Sequence, residues 1–526
     1  TKLLNFYLIK DKKSDRLVTI EKIGLAKIVK WNLDDWKFLN CKSFMVKNNK
    51  VSFPETIKFS VPSSKSITNR ALLCAVIISI KSNEKFIVRN ILKSEDTELM
   101  IQALRQSNIN IEENFNNIII HPGNIEPKGN YYLGNSGTSV RFLLPILSLL
   151  TKNTILIDGS DEMKKRPIGP LVKSLNSFGC NITSKNVING EEYLPLIIYP
   201  SNLNLNKINN IEIDGTLSSQ YITGLMLGFS FLKVKNENNE FNINILGENT
   251  SKGFIELSEK LMKEFGINCL FSKKKIIIDK INIINNEYLV EGDATTASYL
   301  YAWSIINNFK INLENLTEES NQPDMKVLLN ILNYFGDFKN NTFVPNLKKL
   351  EDNKEEIILD LDSSDTFLTW ACLFGIYNKP IEIINIENQN WKECARIDNF
   401  IENFNYLEGK TVRTKTGFKI LKGINKKLSS QKFIKTYNDH RMAMSFSLFS
   451  LINKNILIDN PHCVSKTFPK YWDNLKTIGI DIIPTNKINY KKIILIGMPG
   501  SGKTTLAKEA GEKFNIGFTD TDDTII

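Results

Sequence analysis

Histidine is nearly absent from this chain: His121, His440 and His462 are the three among 526 residues. That leaves too few for a histidine-rich catalytic metal centre. The seven cysteines are odd in number, widely scattered and form no C-x-x-C pair. Neither a disulfide framework nor a zinc ribbon fits them, and a reducing compartment, the cytoplasm, is expected. No apolar run approaches the ~20 residues of a membrane span; the longest, around Ala71 to Ile80, is about half that. With 42% hydrophobic and 24% charged residues the composition is not that of a disordered chain either. At roughly 100–200 residues per domain, the length predicts about three domains.

What the chain has in excess is positive charge, a formal +10 from 67 Lys and Arg against 57 Asp and Glu. Nucleic acid, an anionic membrane and acidic small molecules are the possible reasons. Lysines are spread almost everywhere and read as solvated surface. The arginines are fewer, and several stand in Gly/Ser-rich stretches.

An internal repeat organises the middle of the chain. An amphipathic helix, a small residue and a short strand recur around Gly179, Gly266, Gly336 and Gly479, with Asn108 and Asn405 in the glycine place of two weaker copies. Glycine after a helix is the usual left-handed cap, and asparagine is the next most tolerant residue. Six copies at a period of roughly 70–90 residues suit a small βαβ-containing module and suggest two pseudo-threefold α/β domains.

Two segments have the grammar of anion receptors. Val61-Pro-Ser-Ser-Lys65-Ser66-Ile-Thr-Asn-Arg70 sets cations at the mouth of an apolar helix, whose free N–H groups attract phosphate or carboxylate. Gly134-Asn135-Ser136-Gly137-Thr138-Ser139-Val-Arg141 repeats the pattern with small residues that let the backbone approach an anion. Further along come Lys-Lys-Arg166-Pro, Ser218-Ser219-Gln220, Asn388-Gln-Asn-Trp-Lys392-Glu393-Cys-Ala-Arg396, Asn-Asp439-His440-Arg441 and Ser-Lys466-Thr. These cations are neither interleaved with aromatics nor arranged as a stripe, so they suit a small polyanion and not nucleic acid.

In this order, across roughly residues 50–485, the motifs resemble the 5-enolpyruvylshikimate-3-phosphate synthase family. The resemblance implies two domains, each of three βαβαββ units. One is formed by residues 49–64 and 291–486 and the other by 65–290, with crossings near Val61 to Ser64 and Val290 to Asp293. It implies that shikimate 3-phosphate is held by Lys65, Ser66, Arg70, Ser218, Ser219, Gln220, Ser251, Asp365, Asn388 and Lys392. Phosphoenolpyruvate would meet Lys65, Gly137, Arg166, Gln220, Arg396, Arg441 and Lys466, with Asn135, Thr138, Arg141, Asp439 and His440 in support. Asp365 is the implied base for the attacking hydroxyl. Glu393 is the implied acid, tuned by the adjacent Lys392, with Lys65 as a second possible acid. No metal or organic cofactor is implied for the transfer. His440 reads either as a site residue or as a hydrogen-bonded core histidine that orients Arg441. The chain departs from the family at Ser63, usually Gly; at Glu162, where Arg is common; at Phe254, usually Tyr; and at Asn390-Trp391, often Arg-Val.

Both ends read as cut. The sequence starts at Thr1 without a signal pattern. Lys491 to Ile496 reads as a strand leading into Gly497-Met-Pro-Gly500-Ser-Gly502-Lys503-Thr504, a phosphate-binding loop. With Asp520 and Asp522 it resembles the start of shikimate kinase, which when intact uses ATP and Mg²⁺, the metal near Thr504 and Asp520. Residues 1–48 faintly resemble the end of 3-dehydroquinate synthase, and 490–526 are expected to be the truncated kinase start. That order resembles the fungal-type pentafunctional arom polypeptide, and the resemblance implies a homodimer at full length. The alternatives are a UDP-N-acetylglucosamine enolpyruvyl transferase, a non-catalytic anion-binding module, and a nucleotide-binding kinase.

Overall fold

The computed structural model describes residues 55–483, except 202, 204–208, 248–251, 273, 363, 454 and 478; outside that span it describes Ser43 to Met45 and the backbone of short strands. The expected site residues Ser251, Gly497, Gly500, Gly502, Lys503, Thr504 and Asp520 lie outside the described residues. The chain divides into two units, Met45–Ile482 and a smaller one formed by Thr1–Phe44 with Ile483–Ile526. In the smaller unit, Ile494–Leu495, Tyr7–Lys10, Arg16–Lys22 and Leu25–Lys30 form one four-stranded sheet in that order.

The larger unit repeats one construction. Asn210–Asp214 runs parallel to Phe241–Leu246, joined by the helix Ser219–Lys235. The helix Lys252–Glu264 follows, and the hairpin Ile267–Ser272 with Lys275–Ile281 then adds antiparallel strands. This βαβαββ pattern recurs at Ile357–Lys422 with the same parallel pair and hairpin. Two sheets are completed from far along the chain. Glu287–Leu289 pairs with Phe86–Arg89, and Thr56–Phe59 with Lys310–Leu313, both in parallel. Cys41–Asn48, which the sequence reading leaves in the leading segment, lies in the sheet of Lys432–Ile434, Ile456–Asp459 and Ile480–Lys487.

The helices Lys65–Ser82, Gly137–Leu150 and Ser219–Lys235 are buried nearly all round, which explains why the first and third show little amphipathic pattern. Their side chains join one hydrophobic core that runs from Ile67 to Val290. Gly224 and Gly228 let two of these helices touch: a Cβ at 224 would lie 2.2 Å from the Arg141 carbonyl oxygen.

Gly179, Gly266, Gly479 and Asn108 have the left-handed backbone expected of them. Two positions differ. Asn405 is still inside the helix Arg396–Tyr406, and Glu408 takes the left-handed turn at φ 66°. Gly336 opens a strand, and its lack of a side chain serves packing, since a Cβ there would lie 2.3 Å from the Val344 carbonyl oxygen.

The two expected crossings lie side by side. Ser64 N donates to Glu291 O and Asp293 N to Pro62 O, both at 2.9 Å, with Ser63 opposite Gly292.

Candidate active site

Helix N-termini built by small polar caps supply the floor of a cleft. Ser64 caps Lys65–Ser82, Ser136 caps Gly137–Leu150 and Ser218 caps Ser219–Lys235, each side chain accepting a backbone N–H of the first turn. These caps bring Lys65, Ser66, Arg70, Gly137, Thr138, Arg141, Ser218, Ser219 and Gln220 to one cavity, together with Arg166. Asp365, Asn388, Lys392, Glu393, Arg441 and Lys466 line the same cavity from residues beyond 290. Lys466 Nζ bonds across it to the Asn135 carbonyl oxygen at 3.2 Å.

Seven cations and three carboxylates line the cavity, an excess of four positive charges. The cations fall into two groups. Arg70 donates to Ser258 Oγ at 2.8 Å and to the Ser66 carbonyl oxygen at 2.9 Å. Arg141 donates to Gln220 Oε1 at 2.7 Å, and Arg166 to Asn135 Oδ1 at 2.8 Å. These three thus bond neutral oxygens. Burial lowers Arg70 to about 10 and lowers Arg141 as well, in the second case with help from Arg166. Glu393 attracts Arg141 and Arg166 but forms no ion pair with either; burying a charge without an adjacent countercharge costs roughly several kcal/mol, so an anionic ligand is the natural partner.

The second group is paired. Lys65 meets Asp96 at 3.1 Å, and Lys466 meets Glu393 at 2.9 Å. Arg441 and Arg396 hold the two oxygens of Asp365 at 3.0 and 2.9 Å, with Lys392 at 3.6 Å. Burial raises the Asp365 carboxyl, but Arg441, Lys392 and Arg396 together hold it well below its ordinary value. Glu393 behaves alike: burial opposes its charge, and Lys466, Arg396 and Arg166 prevail. Lys392 forms its ion pair with Asp365 and attracts Glu393, beside it in sequence, without an ion pair, so the larger share of the tuning of Glu393 falls to Lys466 and Arg396.

Arg396 lies beneath the cleft wall, 1% exposed. Its donors reach Asp439 Oδ2 at 2.7 Å, Glu393 Oε2 at 2.7 Å, Asp365 Oδ1 at 2.9 Å and Gln389 Oε1 at 2.9 Å. In this state it organises the carboxylates and does not face the cavity. Asp439 also caps the helix His440–Ser450 through Arg441 N at 2.8 Å. His440 is buried, and among the described residues neither ring nitrogen has a hydrogen-bond partner, so it does not orient Arg441 by a hydrogen bond. Burial, then Arg441, hold it well below its ordinary value and therefore neutral.

Of the departures, Phe254 and Trp391 line the cleft. Sequence reasoning missed Asp96, which partners Lys65 and whose carbonyl oxygen accepts from Ser139 Oγ at 3.1 Å. It also missed Gln389, which donates to Asp365 Oδ1 at 3.0 Å.

A family model described as EPSP synthase (3-phosphoshikimate 1-carboxyvinyltransferase) matches residues 55–475. The pentafunctional AROM polypeptide of Pneumocystis carinii is 32% identical over 515 residues, which are 90% of this chain and 32% of that protein. The chain thus spans about a third of the length of such relatives. The 3-phosphoshikimate 1-carboxyvinyltransferase of Buchnera aphidicola subsp. Cinara cedri is 33% identical over 80% of this chain and 94% of that protein. That of Rhizobium leguminosarum bv. trifolii is 31% identical over 80% and 93%. Among solved structures, EPSP synthase from Acinetobacter baumannii superposes with a TM-score of 0.64 at 20% identity, covering 84% of this chain and 100% of that one. The enolpyruvyl transferase NikO from Streptomyces tendae gives 0.60 at 10% identity, over 85% and 99%.

Proposed function

Because the chain belongs to the EPSP synthase family, we propose that it moves the enolpyruvyl group of phosphoenolpyruvate onto the 5-hydroxyl of shikimate 3-phosphate and releases phosphate. The observation that carries this reading is the excess of four positive charges around one cleft, with three arginines bonded to neutral oxygens. Two phosphorylated carboxylates would supply the missing anions. Each charge-assisted hydrogen bond contributes roughly 1.5–3 kcal/mol.

Asp365, ionised, takes the proton of the 5-hydroxyl as its oxygen bonds C2 of phosphoenolpyruvate, and the methylene carbon receives a proton. Elimination then breaks the C2–O bond to phosphate and returns a proton from the methyl carbon to the acid that gave it, while the proton taken by Asp365 leaves with the phosphate. Glu393 is ionised without ligand. An incoming phosphate would compete for Lys466 and Arg166 and bring negative charge close, which raises the proton affinity of Glu393 and makes it the donor in the loaded site. Lys65 is the second candidate. Addition and elimination leave the oxidation level unchanged, and the reading needs no cofactor.

The finer organisation belongs to the same proposal. Residues 49–64 with 291–486 form one lobe and 65–290 the other. Residues 490–526 begin a shikimate kinase that would use ATP and Mg²⁺ when whole, and the parent is a multifunctional cytoplasmic polypeptide. No helix among the described residues is long and apolar enough to cross a membrane.

Phosphate release from the two substrates tests the reading: turnover that Asp365→Ala cuts at least ~100-fold is expected, in line with general-base roles. No release by the unmodified chain would overturn it.

A further inference from the structure

We propose that Asp324 is a positioning residue for Asp365, anchoring the turn of the candidate base to the two chain crossings. Asp324 is buried in the first turn of the helix Pro323–Leu332. Its Oδ1 accepts from Ser364 Oγ at 2.7 Å, and its Oδ2 accepts from Thr295 Oγ1. Ser364 Oγ also accepts from Thr366 N at 3.1 Å and lies 2.7 Å from Thr366 Oγ1. Both neighbours of Asp365 in the chain are therefore pinned, directly or through one hydroxyl, to a single buried carboxylate.

The anchor continues away from the cleft. Gln322, two residues before Asp324, donates from Nε2 to the Gly292 carbonyl oxygen at 2.7 Å and to Glu291 Oε1 at 3.0 Å, and accepts from Ala294 N at 3.1 Å. Glu291 and Asp293 are the residues that bond Ser64 and Pro62 at the crossings. A path thus leads from the paired crossings by hydrogen bonds to Gln322, along the backbone to Asp324, and by hydrogen bonds again to the turn that carries Asp365.

A carboxylate is a costly group to bury here, and burial together with the nearby Asp365 raises the Asp324 carboxyl. Its two oxygens accept from two hydroxyls on different segments, Thr295 and Ser364, which is what ties them together.

The inference rests on Asp365 being the base. In the full chain, Ser364→Ala and Asp324→Asn are each expected to lower kcat about tenfold while the KM of both substrates stays within about twofold, because a misplaced base costs rate and not binding. An unchanged kcat would overturn the proposal. So would a fall in melting temperature with kcat per folded molecule unaltered. If the unmodified chain releases no phosphate, the proposed function fails separately, and the coupling is read from melting temperatures instead. Ser364→Ala and Asp365→Asn combined are expected to be non-additive, and additive shifts would remove the link.

Discussion

Gly137 has no side chain for a reason that is visible in its neighbours: a Cβ there would come 3.1 Å from one Arg166 nitrogen and 3.4 Å from one of Arg141. Gly137→Ala must push Arg166 aside by a few tenths of an ångström. We expect the KM for phosphoenolpyruvate to rise, and inhibition by glyphosate, an analogue that competes for the same place, to weaken more; equal sensitivity of both proteins in a phosphate-release assay would contradict this. The buried carboxylates set a pH dependence. Asp365 and Glu393 have folded values below the unfolded ones of about 4, so their contribution to stability is present above that pH and is lost as pH falls through the lower folded values. His440, also lowered, acts with the same sign from about pH 6.5 downward. Asp365→Asn should therefore melt lower than the parent at pH 7 yet lose less on going from about pH 5 to 2, and parallel melting curves would refute the pairing. At this scale the sequence was informative wherever a cation stood among small residues: of the eight cations so marked, seven line the cleft, and Arg396 lies behind it. It was silent on Asp96 and Asp324, because an acid in the first turn of a helix reads equally well as a complement to the helix dipole. Nor can adjacency reveal ion pairs, as Lys392 pairing with Asp365 illustrates.

Helices and their caps show which local rules held. The Gly266 turn combines φ +83° with a Cβ position 2.0 Å from the Asn282 carbonyl oxygen, whereas Gly190 at φ +80° has open space around it. Gly190→Ala should cost about 1 kcal/mol of backbone strain alone, and Gly266→Ala several times that, as thermal melting of the two variants would show. Periodicity located six helix-to-strand passages, since a buried face at 3.6-residue spacing is written in the sequence. The end of a helix is not written so clearly. Arg396–Tyr406 runs past Asn405, and Glu408 takes a conformation that its type disfavours, which no pattern of side chains announces. Strand partners were the least legible feature, because Glu287–Leu289 joins a sheet whose other strands lie at residues 86–120.

For the molecule as a whole, a charge of +10 is less informative than its placement, with a local excess of four at one cleft. Shikimate 3-phosphate at 100 times its Kd should stabilise the protein by about 2.7 kcal/mol, and inorganic phosphate by less, read as a rise in melting temperature that added salt diminishes. No rise with either ligand would argue against the cleft as an anion site. The crossings carry a different consequence. Val61 and Asn315 bond each other twice at 2.8 Å although 254 positions separate them. Closing so long a loop from an unfolded chain costs about 5 kcal/mol of entropy. Once the intervening stretch has folded, however, its own ends, Ser64 and Glu291, already touch, and what remains to close is only the chain from Val61 to Ser64 and from Glu291 to Asn315, roughly a tenth of the original loop. A nested order of assembly is therefore expected, with the stretch between the crossings preparing the junction for the segments that carry Asp365 and Glu393; a substitution at the Val61–Asn315 pair should speed unfolding and leave the refolding rate nearly unchanged, and slowed refolding would contradict it.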